Sequence, residues 1–178
     1  MRVLAIPGSL RASSSNAALL RAASSVVPAG TEVLIYDGLA GLPHFSPDID
    51  VDPIPPPVAA FRAQIGSVDA LAISSPEYAH GRPGSLKNAL DWLVSAVEPI
   101  GKPVLIVSAS PSGAAHAHAQ MLEVLSTMAT QVIDGGAHVL SRAKLDDNGG
   151  APAPALLDAL ATGFAQLASA CEALRAAG

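Results

Sequence analysis

The sequence predicts an α/β fold in which a parallel sheet is covered by helices on both faces. Three observations carry this prediction. Short apolar runs and helical patterns alternate along the 178 residues in the order βαβαβαβαβα, and strands that alternate with helices form parallel sheets. The runs at 3–6 and 70–73 (Val, Leu, Ala, Ile and Ala, Leu, Ala, Ile) lack polar alternation, which marks strands buried on both faces. No internal repeat or second composition interrupts the series, so one domain over 1–178 is expected.

Taken in order, the first strand is Val3, Leu4, Ala5 and Ile6, stopped by Pro7-Gly8. The first helix starts at Ser15 or Asn16 and runs to Val27, with Leu19, Leu20 and Ala23 on one face, and Pro28-Ala29-Gly30 ends it. A second strand covers 32–36, and residues 37–52 form a long irregular stretch, a length usually tied to function or disorder. The second helix starts near Pro56 or Pro57 and runs to Ile65, because proline suits a first helical turn and no later one. A third strand spans 68–74 and a loop with two prolines and two glycines spans 75–84. Ser85 is expected to cap a third helix to about Val97, since Leu86, Ala89, Leu90, Leu93, Val94 and Val97 recur at helical spacing. Strand four is 103–109; a loop at 108–115 feeds a fourth helix that ends near Thr130. Residues 132–140 hold the fifth strand, and Pro152 and Pro154 open an Ala-rich last helix to about Ala176.

Composition excludes several classes. Half of the residues are hydrophobic and 14% are charged, which describes a globular chain. A net charge of −5 argues against nucleic acid or an anionic membrane surface as partner. Cys171 is the one cysteine, so no internal disulfide forms, in keeping with a reducing cytoplasm. No signal peptide or membrane span is read from Met1-Arg2 onward, and the expected localisation is cytoplasmic.

The loop after the first strand carries the clearest chemistry. Ser9, Arg11, Ser13, Ser14, Ser15 and Asn16 lie between a strand end and a helix N-terminus. The first helical N–H groups have no intrahelical partner, and the dipole favours an anion there. Serine hydroxyls add donors, and Arg11 adds a forked cation suited to phosphate. The loop matches neither G-x-x-x-x-G-K-[ST] nor G-x-G-x-x-G, so nucleoside triphosphatase and dinucleotide fingerprints both fail. An ordinary Ser-capped helix suits the same residues. In an open α/β sheet, ligands sit beyond the carboxyl ends of the strands, at the switch in strand order. For a 2-1-3-4-5 order, the loops 8–16, 75–84 and 108–115 leave adjacent central strands and meet around one ligand.

At these loops the chain resembles the NADPH-dependent FMN reductase family, which includes quinone, azo-dye and chromate reductases. Gly8, Ser9, Arg11, Ser14 and Asn16 fit the pattern G-S-x-R-x-x-S-x-N, and residues 75–92, SPEYAHGRPGSLKNALDW, look like P-E-Y-N-x-x-x-P-G-x-L-K-N-A-L-D-W. Leu42-Pro43 and Pro47-Asp48 resemble the L-P-x-x-x-P-D segment. Two departures stand out: Ala79 occupies the usual Asn position, and Gly113-Ala114-Ala115-His116 replaces G-G-x-R. The resemblance implies a flavodoxin-like three-layer sandwich with a five-stranded parallel sheet of order 2-1-3-4-5. It implies FMN held at its phosphate by Ser9, Arg11, Ser14, Ser15 and Asn16. Pro76, Glu77, Tyr78 and Ala79 would line the ribityl chain and ring, and Ser108, Ser112 and Gly113 the ring's other edge. It further implies NADPH or NADH as electron donor, ping-pong hydride transfer to a quinone, azo compound, metal oxyanion or flavin, and a homodimer or homotetramer. No catalytic side chain is certain; Tyr78 and His80 lie near the flavin. The rival readings are a non-catalytic flavin-binding electron carrier or redox sensor, and a member that has lost its flavin.

Other residues take plainer readings. Glu77 suits a structural pairing with Arg82 or Arg62 in a dimer, and Trp92 with Leu86, Leu90 and Leu93 suits core or subunit contact. His116 and His118 are two apart and do not share a helical face, and His44, His80 and His138 are scattered, so no metal is expected. Ser74-Ser75 lacks the G-x-S-x-G elbow. Asp146-Asp147 reads as a solvated turn and Cys171 as a small packed residue.

Overall fold

The computed structural model describes residues 1–109, 114–133, 139–141 and 154–177. In chain order the elements are β1 (Arg2–Pro7), α1 (Ser15–Ala23), β2 (Glu32–Ile35), α2 (Pro56–Gly66), β3 (Ala70–Ser74), α3 (Gly84–Asp91), β4 (Pro103–Ala109), α4 (Ala115–Thr127), β5 (Gln131–Val132), β6 (Val139–Ser141) and α5 (Pro154–Ala177). Every strand pair is parallel, and the order β2-β1-β3-β4-β5 is the flavodoxin-like order expected from the sequence. The fifth strand is present as two pieces on one edge of β4. β5 lies beside Pro103 and Val104, and β6 beside Val107, Ser108 and Ala109.

The strict period of two along each strand builds the two outer layers. Leu4, Ile6, Leu71, Ile73, Val104 and Ile106 face α2, α3 and α4, where Phe61, Ile65, Leu86, Leu90, Met121 and Leu125 meet them. Val3, Ala5, Ala70, Ala72, Leu105 and Val107 face α1 and α5, against Leu19, Leu20, Leu160, Phe164 and Leu167. A Cβ at Gly163 would stand 3.1 Å from Leu105 Cδ1, so glycine lets α5 lie close to the sheet. Burying each of Phe61, Trp92 and Phe164, all at most 1% exposed, contributes about 1.5–3 kcal/mol. The small alanines of β1 and β3 leave room for α1 and α5, which explains how a chain with few aromatics fills its core.

Three expected boundaries shift. Helix α1 ends at Ala23 and not at Val27, because Ser25 Oγ donates to the Ala22 carbonyl at 2.8 Å and the chain turns. Helix α3 is capped at Pro83, with Ser85 inside its first turn, and it stops at Asp91. The cause is Arg62: its Nε and Nη2 donate to the Trp92 carbonyl at 2.9 and 2.6 Å. That draws the carbonyl out of the helical ladder. Leu93 stays buried, but Val94 and Val97 face solvent at 66% and 74% exposure, so they leave the expected apolar stripe. Helix α4 ends at Thr127, and Ala129 has a left-handed φ of 53°.

The long stretch 37–52 is tied down by α3. Asn88 Nδ2 and Trp92 Nε1 both donate to the Pro43 carbonyl, at 2.9 and 2.8 Å, and Phe45 N donates to Asn88 Oδ1 at 2.7 Å. The Phe45 and Trp92 rings meet edge to face at 5.1 Å. Leu42-Pro43 and the N-A-L-D-W run therefore form one structural unit, and Trp92 is core. Cys171 is buried; burial pushes its thiol pKa up, and the Asp69 carboxylate adds to that shift. It fits the packed reading. Among the described residues, no helix is long and apolar enough to cross a membrane.

Candidate functional site

The carboxyl ends of β1, β3 and β4 are adjacent, and the loops that leave them converge. Gly8 opens the first loop: its N–H donates to the Ser74 carbonyl at 2.7 Å. A Cβ there would fall 2.7 Å from Leu86 Cδ2 and 3.1 Å from the Ser74 carbonyl oxygen, so only glycine passes this close to β3. Ser14 is buried and its Oγ accepts from Ala17 N at 3.3 Å, the capping role a serine takes at a helix start. Ser15 begins α1. Asn16, 3% exposed, points inward and accepts from Ser74 Oγ at 2.8 Å, locking α1 to the end of β3. Arg11 is exposed. Its backbone N–H donates to Ser9 Oγ and its Nη2 to Ser13 Oγ, both at 3.3 Å. Residues 8–16 contain no carboxylate, so the loop faces solvent with hydroxyls, helical N–H groups and one guanidinium.

Beneath it lies a buried polar seam. Ser108 Oγ donates to the Ser75 carbonyl at 2.8 Å, and Ser75 Oγ to the Pro76 carbonyl at 2.9 Å. This seam fixes the strand ends against each other. Pro76 is buried behind it, and Tyr78 stands out at 48% exposure. The Tyr78 hydroxyl meets Ser9 Oγ at 3.2 Å, which joins the first and second loops directly. Ser112 and Gly113 lie outside the described residues, as do His138 and Asp146-Asp147.

Glu77 has a role that neither the dimer pairing nor the flavin expectation named. Its Oε2 accepts from His116 N and Ala117 N at 2.9 and 3.1 Å, so the carboxylate caps α4 and ties the second loop to the third. This is favourable placement for an acid at a helix N-terminus. Within the chain Glu77 pairs with neither arginine: Arg62 is bound to Asp50, and Arg82 Nη1 reaches Gln120 Oε1 at 3.4 Å. The structure also brings together two histidines that sequence spacing kept apart. The rings of His80 and His116 meet edge to face, with centroids 4.5 Å apart and an interplanar angle of 82°. Convergence of the loops after β3 and β4 was the one sequence signal that could have paired them.

Each departure from the family pattern includes a residue on left-handed backbone, Ala79 in the first and Ala114 in the second. Tyr78 and Gly81 exchange backbone hydrogen bonds at 2.8 and 2.9 Å around a two-residue turn, and Ala79 and His80 there have φ of 49° and 58°. Such primed turns favour Asn and Gly. Ala114, at the start of α4, has φ 53° and ψ 30°. An L-residue pays about 1–2 kcal/mol in this region, and replacement by glycine returns part of that gain as unfolded-chain entropy, about 0.4–1 kcal/mol. Ala79→Asn and Ala114→Gly should therefore each stabilise the fold by about 0.5–1 kcal/mol. Urea midpoints measured on the two variants check this; unchanged or lowered midpoints would refute the strain.

Residues 1–144 match the NADPH-dependent FMN reductase family. The chain belongs to that family. Its members and neighbours agree in outline. It is 40% identical over 122 residues to an NAD(P)H-dependent FMN reductase of Pseudomonas aeruginosa, covering 67% of this chain and 65% of that one. It is 35% identical over 160 residues to a quinone reductase of Pseudomonas putida, covering 82% and 84%. The flavoenzyme NAD(P)H:(acceptor) oxidoreductase FerB of Paracoccus denitrificans shares the fold, with a TM-score of 0.79 at 24% identity over 94% of this chain and 97% of that one. The matched segment spans as little as 47% of other curated relatives. The site's own chemistry fits the family's cofactor. A loop of donors without an acid suits a phosphate dianion, and a half-exposed aromatic beside it suits a planar heterocycle.

Proposed function

We propose that this chain is an FMN-dependent NAD(P)H oxidoreductase that passes a hydride in ping-pong order to a quinone, with azo compounds, metal oxyanions and free flavin as further acceptors. The observation that carries this reading is the Ser9–Tyr78 hydroxyl contact of 3.2 Å, which sets the donor-rich loop beside an exposed aromatic at the switch in strand order. Ser9, Arg11, Ser13 and the N–H groups of α1 hold the phosphate. Tyr78 and the second loop's backbone line the ring, and Ser108 sits at the far edge with its hydroxyl already committed to the Ser75 carbonyl. Bound FMN supplies the hydride chemistry, and the protein supplies orientation and electrostatics. The open mouth at Tyr78 lets donor and acceptor take turns at one place, which favours broad acceptor use. On this reading Tyr78 and His80 contact whichever molecule is present. On this reading the protein works in the cytoplasm as a homodimer or homotetramer.

The test is steady-state turnover of a benzoquinone with NADPH and with NADH, by FMN-loaded protein. Parallel lines in double-reciprocal plots support the ping-pong order. Retained flavin that neither nucleotide reduces would overturn the reductase reading in favour of an electron carrier or sensor.

A further inference from the structure

We propose that His80 and His116 form one recognition pair for a phosphate group of the dinucleotide donor; this rests on the reductase reading above. One imidazole comes from the second loop and the other from the first turn of α4, yet their centroids lie 4.5 Å apart. Two rings at 82° offer N–H donors from two directions, which suits an anionic group with several acceptor oxygens. The pair is held ready. The His80 side chain is 78% exposed on a turn whose backbone is closed by Tyr78 and Gly81, and Gln120 Nε2 donates to the His80 carbonyl at 3.1 Å. Glu77 Oε1 stands 3.7 Å from His80 Nδ1, so the carboxylate lies beside the ring. His116 is seated on the first turn of α4, whose N–H groups Glu77 already caps.

Among the described residues, few charges surround the pair. Glu77 lies on the same loop as His80, with its second oxygen spent on α4. Arg82 closes that loop, bound through Gln120, and its buried Nε has no hydrogen-bond partner among the described residues. Asp91 of α3 acts on Arg82 and is itself paired with Lys87. The first turn of α4 carries no acid, and the ring nitrogens of His118 are buried. Among the described residues, the groups around the pair are thus the Arg82 guanidinium, the Glu77 carboxylate and the two imidazoles themselves. A neutral quinone offers these groups carbonyl acceptors without charge, whereas the dinucleotide donor always carries charged phosphates. His116 also stands where the family pattern has Arg, so one nitrogen donor group replaces another at the start of α4.

The test is equilibrium titration of FMN-loaded protein with NADP⁺ and NAD⁺, followed by calorimetry, for the parent, His116→Ala, His80→Asn and the double variant. Asparagine tolerates the left-handed turn, so His80→Asn keeps the fold. Each single variant should weaken NADP⁺ binding about 10-fold, the double variant less than the product of the two, since both serve one group. NADP⁺ affinities within twofold of the parent would overturn the pair. If the variants instead weaken only a carboxylate-bearing quinone, the anion belongs to the acceptor and the donor assignment is overturned. NADPH bleaching of the parent's flavin separates the two failures. A bleached flavin with insensitive NADP⁺ binding sinks this pair alone, and no bleaching sinks the reductase reading with it.

Discussion

Replacing Arg62 by methionine should lower folding stability by about 3–5 kcal/mol, the range for breaking a buried ion pair from one side. The Arg62 and Asp50 side chains are only 11% and 8% exposed, with Nη2 2.9 Å from Asp50 Oδ1. The same guanidinium satisfies the Trp92 carbonyl twice and donates to Ser95 Oγ at 2.9 Å. Methionine preserves the stem but removes both Arg62 donors from the Trp92 carbonyl and leaves the buried Asp50 carboxylate with the Ser95 hydroxyl and no cation. The consequence reaches the site, because Trp92 and Asn88 fix the stretch around Pro43, and α3 runs from the end of the second loop. Urea unfolding should show a lowered midpoint with an unchanged slope. A loss below about 1 kcal/mol would mean that water replaces the guanidinium, as at exposed pairs.

The acid limb gives the same network a second readout. The Ser95 hydroxyl holds the Asp50 carboxyl below its ordinary value; burial opposes this, and Arg62 adds to the lowering. A carboxyl with a lowered folded pKa contributes stability above its unfolded value of about 3.9, and loses it as pH falls through the folded value. Asp50→Asn should therefore destabilise at neutral pH and flatten the stability loss below about pH 4. An acid limb as steep as the parent's would place the titrating group elsewhere. Asp69 is the obvious second contributor. Its carboxyl is lowered first by the Arg2 backbone N–H and further by Arg175, against burial.

Arg11→Ala should raise the FMN dissociation constant by about 10- to 100-fold, the worth of a charged hydrogen bond of about 1.5–3 kcal/mol. Arg11 is exposed, and among the described residues its hydrogen bonds stay within its own loop, so the urea midpoint of the flavin-free protein should not move. Arg11→Lys keeps the charge without the fork and should recover part of the affinity. Fluorescence quenching of FMN on titration with protein reads all three. An unchanged constant for Arg11→Ala would mean that hydroxyls and α1 N–H groups hold the phosphate by themselves.

Much of this was legible in the sequence, for identifiable reasons. The parallel sheet followed from the alternation of strand and helix patterns and from the uninterrupted apolar run at 70–73, because a strand buried on both faces leaves no polar alternation, while its 2-1-3-4-5 order came from the family resemblance. The converging loops followed from that order. Helix ends were less legible, since side chains distant in sequence decide them: Arg62 stops α3 by taking the Trp92 carbonyl, thirty residues away. The roles of Glu77 and Asn16 were hidden for the same reason. Both carry groups that suit a ligand, and both are turned toward protein partners, α4 and Ser74. The alanines at 79 and 114 read as losses in the motif, yet the backbone keeps the left-handed geometry that Asn and Gly would favour. What those substitutions remove is conformational ease, and the path of the loop is retained.

The most direct measurement is the visible spectrum of the purified protein with FMN, recorded before and after anaerobic NADPH. The account predicts a flavin spectrum that survives desalting and bleaches on addition of the nucleotide, then returns when a quinone is added. Failure to retain flavin after excess FMN, or a retained flavin that NADPH and NADH both leave oxidised, would contradict it.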